Sequence, residues 1–278
     1  MKHKEGTFKG FEGDDIYYQW WLPDEAPRAV ILIVHGLAEH SGRYANVVDH
    51  FVPRGYALFG FDLPGHGKSF GRRVHIRRFS DYVQAVDRCF NMIDESFPDI
   101  PIFLVGHSMG GLIAATYLLD CRDRPAGAVL SAPSIKAHDS VSPVIVAVGK
   151  LLSSLIPTAG ILQLEAEGVS RDVKVVTDYK NDPLVYRGKI TARLAAELLA
   201  AMQRVSAEAA RITLPLLLLQ GSADRLVSPE GARLLYEQVS SSDKKILIYE
   251  GLYHEVFNEP EHSQVLRDVD DWCELHLL

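Results

Sequence analysis

The stretch VGHSMGG occupies residues 105–111 and directly follows the apolar run Ile102-Phe103-Leu104. Glycine stands two residues before and two residues after Ser108. A serine on a tight strand-to-helix turn needs small neighbours on both sides, because side chains there would collide across the turn. The stretch therefore predicts a sharp turn that exposes the Ser108 hydroxyl as a nucleophile. The alternative is a glycine-rich connection in which the serine has no role.

The composition is that of an ordinary soluble globular chain. Its 278 residues, 47% hydrophobic and 23% charged, suffice for one large α/β domain or two small ones. Lys and Arg total 29 against 36 Asp and Glu, which gives a net charge of −7. Binding along a phosphate backbone needs concentrated positive charge, so we expect no nucleic-acid partner.

The cysteines and the first residues bear on the compartment. Cys89, Cys121 and Cys273 are far apart, odd in number and without CxxC spacing, so they predict neither a zinc site nor a disulfide framework. Residues 1–15 lack the apolar region of a signal peptide, and no stretch reaches the roughly 18 apolar residues of a membrane span. We therefore expect a cytoplasmic protein with reduced thiols.

Predicted strands and helices alternate along most of the chain. Strand, helix and strand in alternation predict right-handed crossovers and an α/β fold, with a mostly parallel sheet and helices on both faces. The strands lack polar alternation, as expected when both faces of a sheet are covered. The predicted strands are 29–34, 56–61, 102–105, 128–130, 214–219 and 246–249, and the main helices are 43–54, 80–97, 109–121, 229–239 and 261–275.

The alternation breaks once, between Ser131 and Leu214. About 80 residues lie there, where a crossover with one helix would take about 30. We therefore predict a core of residues 1–133 and 209–278 and an inserted cap (lid) domain of residues 134–208 over the carboxyl edge of the sheet. Its apolar stretch 141–157 predicts a lid that docks on lipid and admits an acyl chain; the alternative is a cap helix packed against the core. Lys150 suits an interfacial helix, because its stem can lie on apolar surface.

A nucleophilic serine needs a base and a carboxylate that orients the base. In this architecture they follow the serine in the order acid, then base. Asp224 lies just after the predicted strand 214–219, and His254 follows the last predicted strand. We therefore predict a catalytic triad of Ser108, Asp224 and His254, with Asp243 and Glu250 as competitors for the acid.

The negatively charged intermediate of acyl transfer also needs hydrogen-bond donors. One is the main-chain N–H of the residue after the nucleophile, Met109, and the second comes from the loop after an early strand. His35-Gly36-Leu37 occupies that loop, so we predict an oxyanion hole formed by the N–H groups of Leu37 and Met109.

Other chemistries with similar motifs fail on spacing. A dinucleotide fingerprint would need glycine where Ser108 stands, and the stretch HEVFN at 254–258 lacks the second histidine of a metalloprotease helix. We therefore predict neither a cofactor nor a metal.

Several longer segments resemble those of the monoacylglycerol lipase family, whose members are serine hydrolases of the α/β-hydrolase fold. They are HGLAEHSGRY (35–44), DLPGHGKS (62–69), GHSMGG (106–111), SRD (170–172), NDPLVYRG (181–188), GSADRLVSPEGARLLYE (221–237) and YEGLYHEVFNEP (249–260). The resemblance implies hydrolysis of a monoacylglycerol to fatty acid and glycerol, with the triad and oxyanion hole named above. It also implies that Glu39 and Arg43 help to shape the polar glycerol end. The cap would carry an apolar acyl tunnel and make transient contact with a membrane or lipid surface.

Two positions depart from the family pattern. Phe257 stands where animal members have a second histidine that reaches the glycerol, which suggests tolerance of other small alcohols. Ala38 stands where members commonly have glycine. A broader carboxylesterase, a lysophospholipase or a transacylase with the same triad stays an alternative. A non-catalytic binding module is a third hypothesis, although the intact Ser, Asp and His argue against it.

Overall fold

The computed structural model of the chain describes residues 1–10, 13–121, 124–136, 153–163 and 165–277. Most of the predicted lid stretch 141–157, with Lys150, lies outside these residues. The strands of the described chain are β1 (Lys2–Lys9), β2 (Asp15–Leu22), β3 (Ala29–Val34), β4 (Tyr56–Phe61), β5 (Ile102–His107), β6 (Gly127–Ser131), β7 (Gly160–Leu162), β8 (Ile190–Thr191), β9 (Leu216–Gly221) and β10 (Lys244–Tyr249).

Eight of these strands form one twisted sheet in the order β1-β2-β4-β3-β5-β6-β9-β10. The six strands from β4 to β10 pair in parallel, whereas β1 and β2 join antiparallel at one edge. Every residue of β3, β5 and β9 is buried, because helices cover both faces of the sheet. The prediction of a mostly parallel sheet between helical layers is confirmed.

The helices form two layers. On one face α2, α3 and α5 pack against inward residues such as Leu32 and Leu104, and on the other face α1 and α7 pack against residues such as Ile31 and Phe103. The sheet therefore separates two apolar clusters. The α-helices are α1 (Ala45–Phe51), α2 (Phe79–Ser96), α3 (Met109–Asp120), α4 (Val173–Asn181), α5 (Ala192–Glu208), α6 (Pro229–Gln238) and α7 (His262–Glu274).

Two local expectations were wrong or incomplete. The predicted helix 43–54 is broken into a 3₁₀ turn at Ser41–Arg43, helix α1 and a second 3₁₀ turn at Val52–Arg54. Pro53 has no N–H to continue α1, so the α-helical hydrogen bonding stops there. The hairpin of β1 and β2 was not predicted, because β1 is polar and mostly exposed at the sheet edge.

The described part of the predicted cap contains the two-stranded pair β7–β8, helix α4 and helix α5. Leu194, Leu198 and Val205 of α5 belong to the main core cluster, so this helix is packed against the sheet's helical layer. The cap boundaries 134–208 stay a prediction. Among the residues described, no helix is both long and apolar enough to cross a membrane.

Candidate active site

Ser108 occupies the turn between β5 and α3. Its backbone dihedrals are φ 55° and ψ −117°, a conformation that costs a residue other than glycine about 1–3 kcal/mol. The turn is held by hydrogen bonds from the Ser108 N–H to Ser131 O (2.9 Å) and from the Ser134 N–H to Ser108 O (3.1 Å). The sharp strand-to-helix turn expected from VGHSMGG is therefore present.

The flanking glycines permit this turn to pack closely. A β-carbon added to Gly106 would lie 2.5 Å from Gly110 O, and one added to Gly110 would lie 2.0 Å from Val34 O. Real β-carbons are never this close to backbone atoms, so a side chain at either position would push α3 away from the sheet. The start of α3 thus lies directly on the end of β3.

Asp224 and His254 form a buried hydrogen-bonded pair. Asp224 Oδ2 lies 2.7 Å from His254 Nδ1 and also accepts Gln220 Nε2 (3.0 Å). Asp224 Oδ1 accepts the N–H groups of Leu226 (2.8 Å) and Val227 (3.1 Å), which fix the carboxylate plane. An ionised carboxylate only accepts hydrogen bonds, so the neutral imidazole carries its proton on Nδ1 and leaves Nε2 as a base.

The pair shifts both pKa values toward the charged forms. Burial raises the pKa of Asp224, but His254 and the N–H donors lower it more, so the pKa is lowered from its usual range. Burial lowers the pKa of His254, but the Asp224 carboxylate raises it more, so the pKa is raised. The Asp224 carboxylate can therefore stabilise the protonated, positively charged form of His254.

Ser108 and His254 are not joined by a hydrogen bond among the described residues. The Ser108 hydroxyl lies 3.4 Å from Ser134 Oγ instead. His107, the residue before the serine, has its ring centroid 4.7 Å from that of His254. Burial and, to a lesser extent, the charge of His254 lower the pKa of His107 to about 4, so the His107 ring is neutral near pH 7. The bond between nucleophile and base in such sites often forms only when substrate binds.

The loop after β3 lies against the serine. A β-carbon on Gly36 would be 3.2 Å from Ser108 Cβ, which places the next N–H, that of Leu37, beside the turn. The Met109 N–H is the first of α3 and has no partner within the helix. The two predicted oxyanion donors therefore lie on segments that meet at Ser108.

Two side chains fix this loop. His35 Nδ1 donates to Gly36 O (2.7 Å), while His35 Nε2 accepts the Leu63 N–H (2.9 Å). Glu39 Oε1 accepts the Gly36 N–H at 2.6 Å. The peptide groups on either side of Gly36 are thus held before any substrate arrives.

Glu39 and Arg43 belong to a buried ion-pair network with Glu255. Arg43 donates Nη1 and Nη2 to the two carboxylate oxygens of Glu255 (2.6 and 2.8 Å) and Nη1 also to Glu39 Oε2 (2.9 Å). The Tyr44 hydroxyl donates to Glu39 Oε1 (3.0 Å), and the Arg43 guanidinium lies 4.6 Å from the centroid of the Tyr179 ring. We call these three charged residues, Glu39, Arg43 and Glu255, the arginine network.

Glu39 and Arg43 of the arginine network are both shifted toward their charged forms. Burial raises the pKa of Glu39, but Arg43 and nearby histidines lower it by more, so the pKa is about 2. Burial lowers the pKa of Arg43, but Glu255 and Glu39 raise it above its usual value. The bonds of Glu39 and Arg43 within the described chain go to protein groups, and their predicted contact with glycerol stays a proposal.

The competing acids lie elsewhere. Asp243 pairs with His276 Nε2 at 2.9 Å, and Glu250 is exposed in a turn. Asp224 is therefore the candidate acid that contacts His254. Sequence reasoning missed Gln220 and Glu255, because nothing in the sequence shows which distant groups their side chains meet.

The loop that carries His254 is fastened to residues 169–171. The Glu255 N–H donates to Val169 O (2.8 Å), and Glu259, which is fully buried, accepts the Tyr253 N–H (2.9 Å) and Arg171 Nε (2.9 Å). The loop before α7 is therefore held by the segment that precedes α4.

The loop after β3 is fastened in a similar way to residues 182–186. The Tyr186 N–H donates to Ala38 O at 2.8 Å, and Asp182 Oδ2 lies 2.8 Å from His40 Nε2. Burial raises the pKa of Asp182, but its hydrogen bond with His40 helps to lower it overall. Both loops that meet at the serine are therefore tied to the predicted insertion.

Comparison with known proteins identifies the family. Residues 25–261 match the family model described as Serine aminopeptidase, S33. The chain is 43% identical to a monoacylglycerol lipase of Mycolicibacterium smegmatis, over 98% of both chains. It is 38% identical to the monoglyceride lipase of Mus musculus, over 94% of this chain and 87% of the mouse protein. The crystal structure of a Paleococcus ferrophilus monoacylglycerol lipase matches with a TM-score of 0.84 and 32% identity, over 99% of this chain and 100% of the other.

The chain belongs to the monoacylglycerol lipase family. Its α/β-hydrolase fold is thereby shown, and the predicted resemblance is confirmed.

The two departures from the family pattern have different structural settings. Phe257, at the position of the second histidine in animal members, is 4% exposed and packs in the apolar cluster beneath α7. Ala38, where members commonly have glycine, has a φ of 67°. Phe257 is therefore part of the apolar core. Ala38 has a backbone conformation that favours glycine.

Proposed function

We propose that this chain is a serine esterase that hydrolyses monoacylglycerols to a free fatty acid and glycerol without a cofactor. The observation that carries the proposal is the 2.7 Å contact between Asp224 and His254 Nδ1, together with the strained turn at Ser108. A nucleophile on such a turn, followed in the chain by an oriented imidazole, is the arrangement for acyl transfer. The family membership supports an ester of a fatty acid as the substrate class.

In the proposed first step, Ser108 Oγ attacks the ester carbonyl carbon and His254 Nε2 takes the hydroxyl proton. The Asp224 carboxylate stabilises the resulting imidazolium. The oxyanion accepts hydrogen bonds from the N–H groups of Leu37 and Met109. When the tetrahedral intermediate collapses, His254 returns its proton to the leaving glycerol oxygen.

In the second step, water attacks the carbonyl carbon of the acyl-serine. His254 now takes a proton from that water, and the fatty acid leaves as Ser108 regains its hydrogen. Neither step needs a metal or a redox group. The fixed peptides of Gly36 favour both steps, because donors already in place need no reorganisation when the negative charge forms.

The decisive variant is Ser108→Ala. We expect release of p-nitrophenol from an acyl ester to fall at least about 10³-fold, because the acyl-enzyme cannot form. Circular dichroism and thermal unfolding serve as the control for an intact fold. Activity near that of the unmodified protein would contradict the proposal, and failure of the unmodified protein to react with a fluorophosphonate would favour a non-catalytic binding module.

A substrate panel tests the choice of ester. Rates on monolaurin, trilaurin, a lysophospholipid and a short-chain ester should be highest for monolaurin. Preference for the short-chain ester or the lysophospholipid would favour the carboxylesterase or lysophospholipase alternative. Transfer of the acyl group to added alcohol in preference to water would identify a transacylase.

We also infer a cytoplasmic location and transient contact of the cap with a lipid surface. Cys89, Cys121 and Cys273 are all free thiols, which suits a reducing compartment. A monoacylglycerol with a long acyl chain partitions into membranes, so the enzyme must meet its substrate at a lipid surface. Fractionation of cells into cytosol and membranes, at low and high salt, tests both points.

A further inference from the structure

Gln220 is a polar residue near the end of an otherwise apolar strand. Strand β9 reads LLLLQG, and all of its residues are buried. An apolar side chain at position 220 would stabilise such a strand by its burial, whereas an amide loses its bonds to water and must replace them within the protein. The partners of the Gln220 amide therefore indicate what this residue does.

The amide nitrogen of Gln220 makes two hydrogen bonds. Nε2 donates to Asp224 Oδ2 (3.0 Å) and to the main-chain oxygen of Gly221 (3.2 Å). A carbonyl and an ionised carboxylate only accept hydrogen bonds, so the amide must present its nitrogen to them and not its oxygen. These two contacts fix the orientation of the amide.

The amide oxygen of Gln220 has no such partner. Oε1 is buried and makes no hydrogen bond with any residue that the structure describes, an arrangement that destabilises a folded protein. Gln19, which is also buried on a strand, differs: its Nε2 donates to Ser41 Oγ (2.8 Å) and its Oε1 lies 3.0 Å from His3 Nε2. The orientation of Gln220 therefore serves Asp224 and not the stability of β9.

Asp224 Oδ2 is the oxygen that faces the candidate base. It lies 2.7 Å from His254 Nδ1, while Oδ1 accepts the N–H groups of Leu226 and Val227. A carboxylate oxygen accepts hydrogen bonds along two directions near the plane of the group. Because Gln220 occupies one direction at Oδ2, the other is left for the imidazole.

We propose that Gln220 is a positioning residue for the base: its amide holds Asp224 Oδ2 in line with His254 Nδ1 and so keeps the imidazole aligned for proton transfer. Gln220 is fully buried and bonds the carboxylate, so it acts through Asp224 and not on the substrate. The inference rests on the proposed function, because it concerns the rate of that reaction.

Gln220→Met tests this role. Methionine has about the length of glutamine and suits an apolar strand, but it has no N–H to donate. We expect kcat on an acyl ester to fall about tenfold with KM nearly unchanged, since losing a hydrogen bond to a charged group has effects of this size. The variant should unfold at the same temperature as the unmodified protein or at a higher one, because the buried oxygen is removed.

Gln19→Met is the matched control. It makes the same chemical change in another buried strand position, where both ends of the amide are bonded. We therefore expect a lower unfolding temperature and a kcat within about twofold of that of the unmodified protein. Activity should be lost at Gln220 and stability at Gln19.

A double-mutant cycle tests whether Gln220 acts through Asp224. Asp224→Asn removes the charged oxygen that the amide holds, so the addition of Gln220→Met should change the residual kcat by less than about twofold. A further tenfold loss in the double variant would mean that Gln220 acts on another group, and it would overturn the proposal.

Two further measurements report on His254 itself. Burial lowers the pKa of His254 and the Asp224 carboxylate raises it more. A carboxylate that is held less firmly raises it less, so in Gln220→Met the acid limb of kcat/KM should move to lower pH. The proton NMR signal of the His254 Nδ1–H should move upfield, because its hydrogen bond to Oδ2 weakens.

Other outcomes would contradict the inference. Unchanged kcat, acid limb and NMR signal in Gln220→Met would overturn it, as would a loss of activity that only accompanies a loss of stability, as in a purely structural role. An unmodified protein that fails to react with a fluorophosphonate would contradict the proposed function and this inference with it. An active protein in which Gln220→Met keeps full activity would contradict this inference alone.

Discussion

Two buried pairs, each of a carboxylate and a basic side chain, lie next to each other at the consecutive residues 254 and 255. His254 contacts Asp224, while Glu255 contacts Arg43 of the arginine network. Both pairs are almost fully removed from water, and both use charge-assisted hydrogen bonds. They differ in the basic side chain, because imidazole gains and loses its proton near neutral pH and guanidinium does not.

Because of that difference, the pair of Asp224 and His254 can transfer a proton, whereas the pair of Arg43 and Glu255 can only stabilise the structure. Asp224 raises the pKa of His254 and leaves its second ring nitrogen as a base, so this pair can move a proton. Arg43 keeps its charge near neutral pH. Glu39 Oε1, the carboxylate oxygen that does not contact Arg43, accepts the Gly36 N–H. Variants of the two pairs should therefore fail in different ways.

The largest expected effect is that of Asp224→Asn on the rate. The amide keeps the size of the side chain but removes the charge that stabilises an imidazolium and fixes its tautomer. We expect kcat on an acyl ester to fall about 10³–10⁴-fold. Thermal unfolding should show a folded protein, and a loss below about tenfold would mean that another acid serves His254.

Arg43→Met should act mainly on stability. It leaves Glu39 and Glu255 buried without their cation, and breaking a buried pair in this way costs about 3–5 kcal/mol. Urea unfolding followed by circular dichroism measures the loss. The control is the triple variant Glu39→Gln, Arg43→Met and Glu255→Gln, which removes all three charges and should recover much of the stability. A single variant as stable as the unmodified protein would show that the arginine network is not tightly coupled.

The two pairs should also differ in their effect on the pH dependence of kcat/KM. Protonated His254 cannot accept the Ser108 proton, so the rate falls as pH falls through the pKa of His254. Burial lowers this pKa but Asp224 raises it more, so the acid limb should lie above the ordinary value of 6.5. Glu39, with a pKa of about 2, stays ionised throughout and adds no limb.

Asp224→Asn again provides the comparison for the pH profile. Without the carboxylate, the acid limb of the residual activity should move to lower pH. A limb that stays in place would assign it to a group other than His254.

The smallest expected effect is that of Ala38→Gly in the loop that Glu39 holds. An alanine with a φ of 67° is strained by about 1–2 kcal/mol, and part of the relief is cancelled by the greater freedom of glycine in the unfolded chain. We expect a gain of up to about 1 kcal/mol, or roughly 2 °C in Tm. Ala128→Gly, in the buried strand β6, is the matched control and should destabilise. Destabilisation by both variants would contradict the strain at Ala38.

The sequence predicts the part of the molecule that follows from local pattern. The apolar runs predict the parallel strands, and the glycines around Ser108 predict its turn, because both depend on residues close in the chain. The candidate acid and base were predicted from chain order, and the structure places Asp224 against His254. The assignment of these residues as catalytic stays a prediction until variants are measured.

The parts that sequence reasoning missed depend on distant partners. Glu255 meets Arg43 across 212 residues, and no pattern within either segment indicates the pairing. Strand β1 is polar and mostly exposed, so its pairing with β2 leaves little hydrophobic signal. Helix α5 shows an apolar face, but only the fold shows that this face packs on the core.

The hydrogen bonds that Val169, Arg171 and Tyr186 make with the two loops have a consequence for protein engineering. They join the loops around His254 and Ala38 to the segment predicted as a cap. An exchange of residues 134–208 with those of a relative, made to alter substrate preference, would also exchange the supports of both loops. A chimaera that retains residues 169–171 and 182–186 from this chain should therefore keep more of its turnover than one that replaces the whole segment. We therefore expect a change of substrate preference to be transferable only together with these attachment points.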